Sequence, residues 1–87
     1  MALEDSFLAI SDSNRRTILE ELRRSPRTVN ELASGLPVSR PAVSQHLKVL
    51  LDAGLVSVRA EGTRRIYAVE NAGFLRLNLW LDQFWQE

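Results

Sequence analysis

The sequence predicts a mainly α-helical domain with one small β-hairpin. Apolar residues recur at helical spacing in several segments, and helix-capping residues, glycine and proline separate those segments. In the second half of the chain, two alternating and partly β-branched runs, 55–59 and 64–69, lie on either side of a glycine. Residues 1–87 are enough for a single domain. The core of so short a chain is small and marginally stable by itself, which favours oligomerisation.

The first two helices are separated by residues 11–14, Ser-Asp-Ser-Asn, which are all residue types that favour helix N-termini. The helix before this break carries a brief apolar pattern that includes Leu3 and Phe7. The helix after the break covers about residues 13–24, with apolar residues along one side. It ends before Pro26, because proline cannot continue a helix interior.

The third and fourth helices are marked at both ends. Thr28 is expected to cap the third helix, because Glu31 follows it at the spacing of a capping box, and Gly35 ends that helix. Ser39 is the expected N-cap of the fourth helix, and Gly54 supplies a left-handed stop. One side of the fourth helix is apolar and comprises Val43, Leu47, Leu50 and Leu51. The opposite side is polar and cationic and comprises Arg40, Pro41, Ser44, Gln45 and Lys48.

Two helices with a short glycine-containing connection are typical of a helix-turn-helix, which is predicted at residues 28–52. In this motif the second helix enters the major groove of DNA. Helical hairpins in other bundles show the same spacing, but here the β-hairpin at residues 55–69 follows, where a wing would lie. Arg59, Arg64 and Arg65 flank its tip, within reach of a phosphate backbone. The alternative is a structural hairpin whose arginines only keep it soluble.

Charge is unevenly distributed along the chain, although the formal net charge is zero. Residues 15–65 contain ten basic and five acidic side chains, a net charge of +5, whereas the two ends contain one basic and six acidic side chains, a net charge of −5. A basic middle favours contact with phosphate, and the acidic ends favour another role. Accidental clustering on a solvated surface is the alternative.

The last helix is the most hydrophobic segment and carries more apolar surface than a small core can cover. Burial of one large side chain stabilises by about 1.5 to 3 kcal/mol, so several aromatic residues in water favour a second chain as cover. We therefore predict a two-fold homodimer through terminal helices at residues 1–12 and 71–87. An internal core helix without a partner is the alternative. The predicted interface comprises Leu3, Phe7, Phe74, Leu77, Trp80, Leu81, Phe84 and Trp85.

The chain resembles the ArsR family of winged helix-turn-helix repressors. The sequence AISDSNRRTIL at residues 9–19 resembles the opening segment of the family, and SRPAVSQHLKVL at residues 39–50 resembles its recognition helix. The wing that ends at Tyr67 continues the resemblance, which covers about residues 5–85. The resemblance implies about five helices and a two-stranded wing, dimerised by the terminal helices. It also implies repression, often of the repressor's own operon, that an inducer relieves.

The chain departs from the metal-sensing members of the family. Those members carry a Cys-x-Cys motif that aligns with Thr28 and Asn30, and others carry paired His and carboxylate ligands on the last helix. This chain has no cysteine and one histidine, whereas zinc and soft-metal sites need several such donors. We therefore expect no cofactor and no metal, and the resemblance implies the metal-independent branch, which includes small autorepressors.

Catalysis and membrane insertion are both disfavoured. No nucleophile with an identifiable base, glycine-rich phosphate loop or convincingly spaced carboxylate pair is found, so no enzyme is expected. For His46, a structural role in which the ring donates to a backbone carbonyl is favoured over contact with a base. No apolar run reaches the about 20 residues of a membrane span, and Glu4 and Asp5 lie where a signal peptide would be basic. A cytoplasmic location is expected.

The sequence therefore predicts a dimer that binds a pseudo-palindromic DNA duplex and represses transcription. Glutamine suits adenine, and arginine or lysine suits guanine, so base readout is assigned to Arg40, Ser44, Gln45 and Lys48. Contacts with the DNA backbone are assigned to Thr28, Ser39, Arg59, Arg64 and Arg65. The alternative function is that of a protein-interaction module that docks a partner through its aromatic C-terminal helix.

Overall fold

A computed structural model describes residues 2–85, which form five helices and one two-stranded antiparallel sheet. The helices are α1 (Leu3–Ile10), α2 (Ser13–Arg24), α3 (Val29–Ser34), α4 (Arg40–Asp52) and α5 (Asn71–Asp82). Strands β1 (Val56–Glu61) and β2 (Arg64–Val69) lie between α4 and α5. The predicted fold class is confirmed. Residues 1, 86 and 87 of the predicted terminal segments lie outside the described residues.

Side-chain caps fix where α2, α3 and α4 begin. The Asp12 carboxylate accepts hydrogen bonds from two backbone N–H groups in the first turn of α2. Thr28 and Glu31 form the predicted capping box at the start of α3, and the Ser39 hydroxyl oxygen accepts from the backbone of the first turn of α4. Gly54, with φ of 77°, follows the end of α4 in the left-handed conformation that glycine adopts readily. Short-range sequence signals therefore set these boundaries.

One hydrophobic core holds the helices and the hairpin together. Its largest fully buried apolar side chains are Ile18, Leu32, Val43, Leu47, Leu50 and Leu55. α1 packs against the end of α4, where the buried Ser6 hydroxyl donates to the Ala53 carbonyl at 3.4 Å. This hydrogen bond satisfies a polar group that would otherwise be costly in an apolar core.

The hairpin is longer and tighter than the sequence predicts. We expected a connection over residues 60–63, but residues 60 and 61 extend β1, and Glu61 pairs with Arg64. The turn therefore contains only Gly62 and Thr63, and Gly62 has φ of 65°. Two-residue hairpin turns need such positive φ values, which glycine provides without strain.

A short third stretch extends the sheet beyond the predicted pair of strands. The backbone N–H of Tyr67 donates to the carbonyl of Arg27 at 2.8 Å, and the N–H of Arg27 donates to the carbonyl of Tyr67 at 3.0 Å. The connection between α2 and α3 is thereby fixed to the edge of β2. A single residue pair has no periodicity, so the sequence analysis could not predict this bridge.

The inner side of α5 packs closely on the connection between α4 and β1. Gly73 is buried, and a Cβ atom at this position would overlap the Gly54 carbonyl oxygen and lie 3.1 Å from Leu55 Cδ2. Leu77 is only 5% exposed and joins the core. Leu77 was assigned to the dimer interface, but it packs within its own chain and leaves little surface for a second one. Within residues 2–85, no helix is long and apolar enough to span a bilayer.

Candidate nucleic-acid interface

α4 presents an exposed polar face because its opposite face is fixed in the core. Val43, Leu47 and Leu50 on the inner face are fully buried. The four residues of the predicted base-reading set are all exposed, namely Arg40, Ser44, Gln45 and Lys48. The helix is thus anchored by its apolar stripe while its polar groups face solvent.

Lys48 forms an ion pair within the exposed face of α4. Its Nζ lies 3.0 Å from the Asp52 carboxylate one turn further along the helix, and both side chains are about two-thirds exposed. Exposed pairs at this spacing contribute about 0.3 to 0.5 kcal/mol. The pair can therefore open at little cost when a base edge or a phosphate replaces the carboxylate.

Arg40 is held by a neighbour that the sequence analysis did not assign to the site. Its Nε donates a hydrogen bond to Asn30 Oδ1, which belongs to α3. Arg40 and Gln45 project about 140° apart around the axis of α4 at 3.6 residues per turn. The guanidinium of Arg40 is therefore drawn toward α3, away from the side on which Gln45 lies. Asn30 could have been noticed only as an exposed amide near the start of α3.

The three arginines of the hairpin differ in their neighbours. Arg59 lies 3.6 Å from Glu61 on the same strand, and both are more than half exposed. Arg64 lies 3.6 Å from Glu31, so it connects the hairpin to the first turn of α3. Arg65 is exposed next to it. The hairpin therefore carries its cationic groups beside the helix-turn-helix, as a wing does.

Glu31 is fixed in its ionised form at the junction between α3 and the wing. The Thr28 backbone N–H, which donates to Glu31 Oε1 at 2.8 Å, lowers the pKa of this carboxyl below its ordinary value of 4.5. A side-chain hydrogen bond with Thr28 and the positive charge of Arg64 also lower that pKa. Glu31 is therefore a carboxylate at neutral pH and competes with external anions for Arg64.

A groove of about 400 Å³ separates α3, the start of α4 and the wing. Three arginines from two elements line it, and hydroxyl and amide groups complete its rim. The lining residues that carry these groups are Thr28, Asn30, Arg40, Thr63, Arg64 and Arg65. The groove therefore brings Arg40 together with two of the predicted backbone-binding arginines, whereas Arg59 does not line it.

His46 has a different partner from the expected one. Its Nδ1 lies 3.4 Å from Nη1 of Arg15, whose Nε donates to the Ala9 carbonyl at 2.6 Å. A guanidinium can only donate hydrogen bonds, so His46 Nδ1 is the acceptor in this contact. Among residues 2–85, the expected bond from His46 to a backbone carbonyl is not formed. The histidine instead joins α4 to the corner between α1 and α2.

A second surface of the molecule is apolar and involves α1 and the C-terminal segment. Its exposed large side chains are Leu8, Leu75, Leu79, Trp80, Leu81, Phe84 and Trp85. Leu3, Phe7 and Phe74 of the predicted interface are half-buried and pack against the core. The ring of Trp80 contacts Phe7 and Phe84, with centroid distances of 5.1 and 4.7 Å.

The predicted interface omits Leu8, Leu75 and Leu79, which are 66%, 57% and 61% exposed. The interface predicted from the sequence includes Leu77, which lies on the inner side of α5, whereas Leu75 and Leu79 lie on its outer side. A helix that is apolar on both sides is typical of one that is covered on both sides. The sequence already showed apolar residues on both sides of this helix.

An exposed polar recognition helix beside a basic two-stranded wing defines the winged helix-turn-helix class of DNA-binding proteins. Residues 12–58 match the family described as "Bacterial regulatory protein, arsR family". The chain belongs to this ArsR family. It is a DNA-binding transcriptional regulator and not an enzyme.

Known proteins resemble the chain over most of its length. It is 54% identical over 80 residues to the HTH-type transcriptional regulator Rv2034 of Mycobacterium tuberculosis, with 92% of this chain and 75% of the relative covered. It is 33% identical over 82 residues to the transcriptional repressor SdpR of Bacillus subtilis, with 94% and 91% covered. A solved homodimeric winged helix-turn-helix DNA-binding domain from Mycobacterium bovis matches with a TM-score of 0.78 at 27% identity, covering 93% of this chain and 75% of that chain.

Proposed function

We propose that this regulator is a homodimeric repressor that binds a pseudo-palindromic operator without a metal. One observation carries the proposal: Arg40 at the start of the exposed polar face of α4 lines one groove with the wing arginines Arg64 and Arg65, while a separate apolar surface involves α1 and α5. The first surface suits a DNA duplex, and the second suits another copy of the chain. A regulator of genomic DNA in a bacterium acts in the cytoplasm, which is therefore its proposed location.

Ser44, Gln45 and Lys48 are the proposed base-reading residues. The Gln45 carboxamide can accept from N6 and donate to N7 of an adenine, and a lysine released from Asp52 can donate to a guanine. Arg40 was the fourth residue of the predicted base-reading set. It is not among the proposed base-reading residues, because its guanidinium is bound by Asn30.

Contacts with the DNA backbone are proposed for the wing and for two helix starts. Arg59, Arg64 and Arg65 supply positive charge, which attracts phosphate whatever the base sequence. The hydroxyl oxygens of Thr28 and Ser39 accept hydrogen bonds from their own helices. The Ser39 hydroxyl hydrogen can be donated to a phosphate, whereas that of Thr28 must first leave the Glu31 carboxylate.

Dimerisation would place two recognition helices in successive major grooves, about 10 bp apart. Support comes from the exposed leucines and aromatic residues of α1 and the C-terminal segment, and from the homodimeric state of the related M. bovis domain. A two-fold interface is self-complementary, so one apolar surface on each chain is sufficient.

Metal independence is supported by the side chains where metal-sensing relatives are expected to carry cysteines. Thr28 caps α3 there, and Asn30 binds Arg40. Across residues 2–85, no three His, Asp or Glu side chains come together in a group that could hold a metal ion. The inducing signal is therefore proposed to be something other than a metal.

The direct test is a fluorescence-anisotropy titration against the DNA immediately upstream of the protein's own gene, with a scrambled duplex as control and salt varied. We expect preferential binding of the upstream duplex at two chains per site, and an affinity that falls steeply with salt. Equal affinity for both duplexes would contradict the autorepressor. Absence of binding at low salt would favour the alternative, a module that docks a protein through its aromatic C-terminal helix.

The substitution Gln45→Ala tests the proposed base contact. It should weaken binding to the preferred duplex by about 1 to 3 kcal/mol and leave binding to the scrambled duplex nearly unchanged, because Gln45 contacts a base and not the backbone. The same titration measures both affinities. An equal loss on the two duplexes would remove Gln45 from the base-reading set.

A further inference from the structure

We propose that Arg40 binds a DNA backbone phosphate instead of a base, and that Asn30 is the positioning residue that holds it there. Arg40 and Arg64 would share one phosphate seated in the groove between α3, α4 and the wing. This inference rests on the proposed function, because it assumes that the α4 face and the wing contact the same duplex.

The geometry of the groove supports a phosphate seat. Arg40 enters it from the first residue of α4, and Arg64 and Arg65 enter it from the first two residues of β2. A volume of about 400 Å³ is open enough for a phosphodiester group to approach. Guanidinium groups from different elements can hold such an anion by charge-assisted hydrogen bonds.

Asn30 determines where the Arg40 side chain points. The hydrogen bond to Asn30 Oδ1 uses the Nε–H group of Arg40, so its two terminal nitrogens remain as donors. Because Asn30 also lines the groove, this bond directs Arg40 toward the wing and away from the side of α4 that carries Gln45. A neutral amide orients the guanidinium without cancelling its charge, which a carboxylate at position 30 would do.

Glu31 is the internal anion that the phosphate would replace. Its carboxylate lies 3.6 Å from Arg64 Nη2, and the two side chains are 51% and 56% exposed. The contact is long and partly solvated, so it can open at little cost. Glu31 keeps its hydrogen bond from the Thr28 N–H when Arg64 turns to the phosphate, so the start of α3 remains capped.

Six variants test this phosphate site by anisotropy against a duplex that the wild-type protein selects from a random library, with a scrambled duplex as control. They are Arg40→Ala, Arg40→Lys, Arg64→Ala, Asn30→Ala and the double variants Arg40→Ala/Arg64→Ala and Arg40→Ala/Asn30→Ala. Arg40→Ala should weaken binding to both duplexes by the same factor, about tenfold, but lower the salt slope by less than about 1, because Arg64 still neutralises the shared phosphate; the full change of about 1 is expected only in the Arg40→Ala/Arg64→Ala double variant. Arg40→Lys keeps the charge and should retain the slope. The Arg40→Ala/Arg64→Ala variant should lose less affinity for DNA than the product of the two single fold-losses, because both arginines share one phosphate.

Asn30→Ala, made alone and together with Arg40→Ala, tests whether Asn30 positions Arg40 or only stabilises α3. It should weaken both duplexes in the wild-type background and have no effect in the Arg40→Ala background, since Asn30 acts through Arg40. An equal loss in both backgrounds would mean that Asn30 only stabilises α3, and would overturn its positioning role.

Loss of sequence preference in Arg40→Ala, as expected for Gln45→Ala, would make Arg40 a base-reading residue and overturn the phosphate seat alone. If the wild-type protein enriched no sequence from the library, the proposed function would fail first and the inference with it. The two failures are therefore distinguishable.

Discussion

At the scale of single residues, Asp12 connects α1 to α2 and makes the start of α2 sensitive to acid. The backbone N–H of Arg15 donates to its carboxylate at 3.1 Å, and that of Asn14 donates at 2.8 Å. The Arg15 hydrogen bond, followed by that from Asn14, lowers the pKa of Asp12 below its ordinary value of 3.8. An aspartate with a lowered folded-state pKa stabilises the fold above its unfolded-state pKa and loses that contribution as the pH falls through the folded-state value.

We therefore expect the wild-type free energy of unfolding to fall as the pH drops below 3.8, and to fall less in Asp12→Asn. Asparagine also caps helices well but does not titrate, so the variant isolates the ionisation. Urea unfolding followed by circular dichroism between neutral and acid pH measures the difference. Parallel pH curves for the two proteins would show that Asp12 makes no contribution of this kind.

At the scale of secondary-structure elements, the contact between α5 and the connection from α4 to β1 depends on the absence of a side chain at Gly73. A Cβ atom at Gly73 would lie 2.9 Å from the Gly54 carbonyl carbon and closer still to its oxygen. Both contacts are with backbone, which cannot move aside as a flexible side chain would. α5 therefore packs at this distance only because position 73 is glycine.

Gly73→Ala should destabilise the protein by about 1 to 3 kcal/mol, the usual cost of overpacking, although alanine favours helices more than glycine does. Gly35→Ala is the matched control, because its nearest neighbour would be the Leu32 carbonyl oxygen at 3.9 Å, an ordinary contact. Denaturant unfolding at one protein concentration compares them. A Gly73→Ala protein as stable as the control would mean that α5 can shift without loss.

At the scale of the whole molecule, the exposed outer side of α5 is part of the surface through which we propose that two chains associate. Leu79 is 61% exposed in the single chain and lies on the side of α5 opposite the buried Leu77. A charge at this position does not disturb the protomer core, but it would be buried in a dimer that uses this surface.

Leu79→Glu should therefore convert the dimer into a folded monomer and weaken operator binding, because a monomer contacts only one half-site. Asn14→Glu adds the same charge at an exposed position on α2 and should remain dimeric. Sedimentation equilibrium measures the mass, and circular dichroism confirms folding. A dimeric Leu79→Glu would place the interface elsewhere on the chain.

Local signals predicted the elements of this fold well. The helix starts at Asp12, Thr28 and Ser39 and the stop at Gly54 follow from side-chain caps and backbone preferences that operate within a few residues. The exposed set on α4 follows from helical periodicity alone, because a buried stripe fixes the opposite face. The order of helix, turn, helix and hairpin was sufficient for the winged helix-turn-helix class, whereas the ArsR family was indicated by the resemblance of residues 9–19 and 39–50.

The sequence by itself determined the elements, their order and the polarity of the recognition helix, because each depends on neighbours in the chain. Only the tertiary structure decided which side of α5 remains exposed, that Arg27 pairs with Tyr67, and that Asn30 and Glu31 hold Arg40 and Arg64. These relations join residues from different elements. Periodicity specifies the faces of one helix but not the neighbour that each face meets. These contacts therefore form only when the core brings the helices and the wing together.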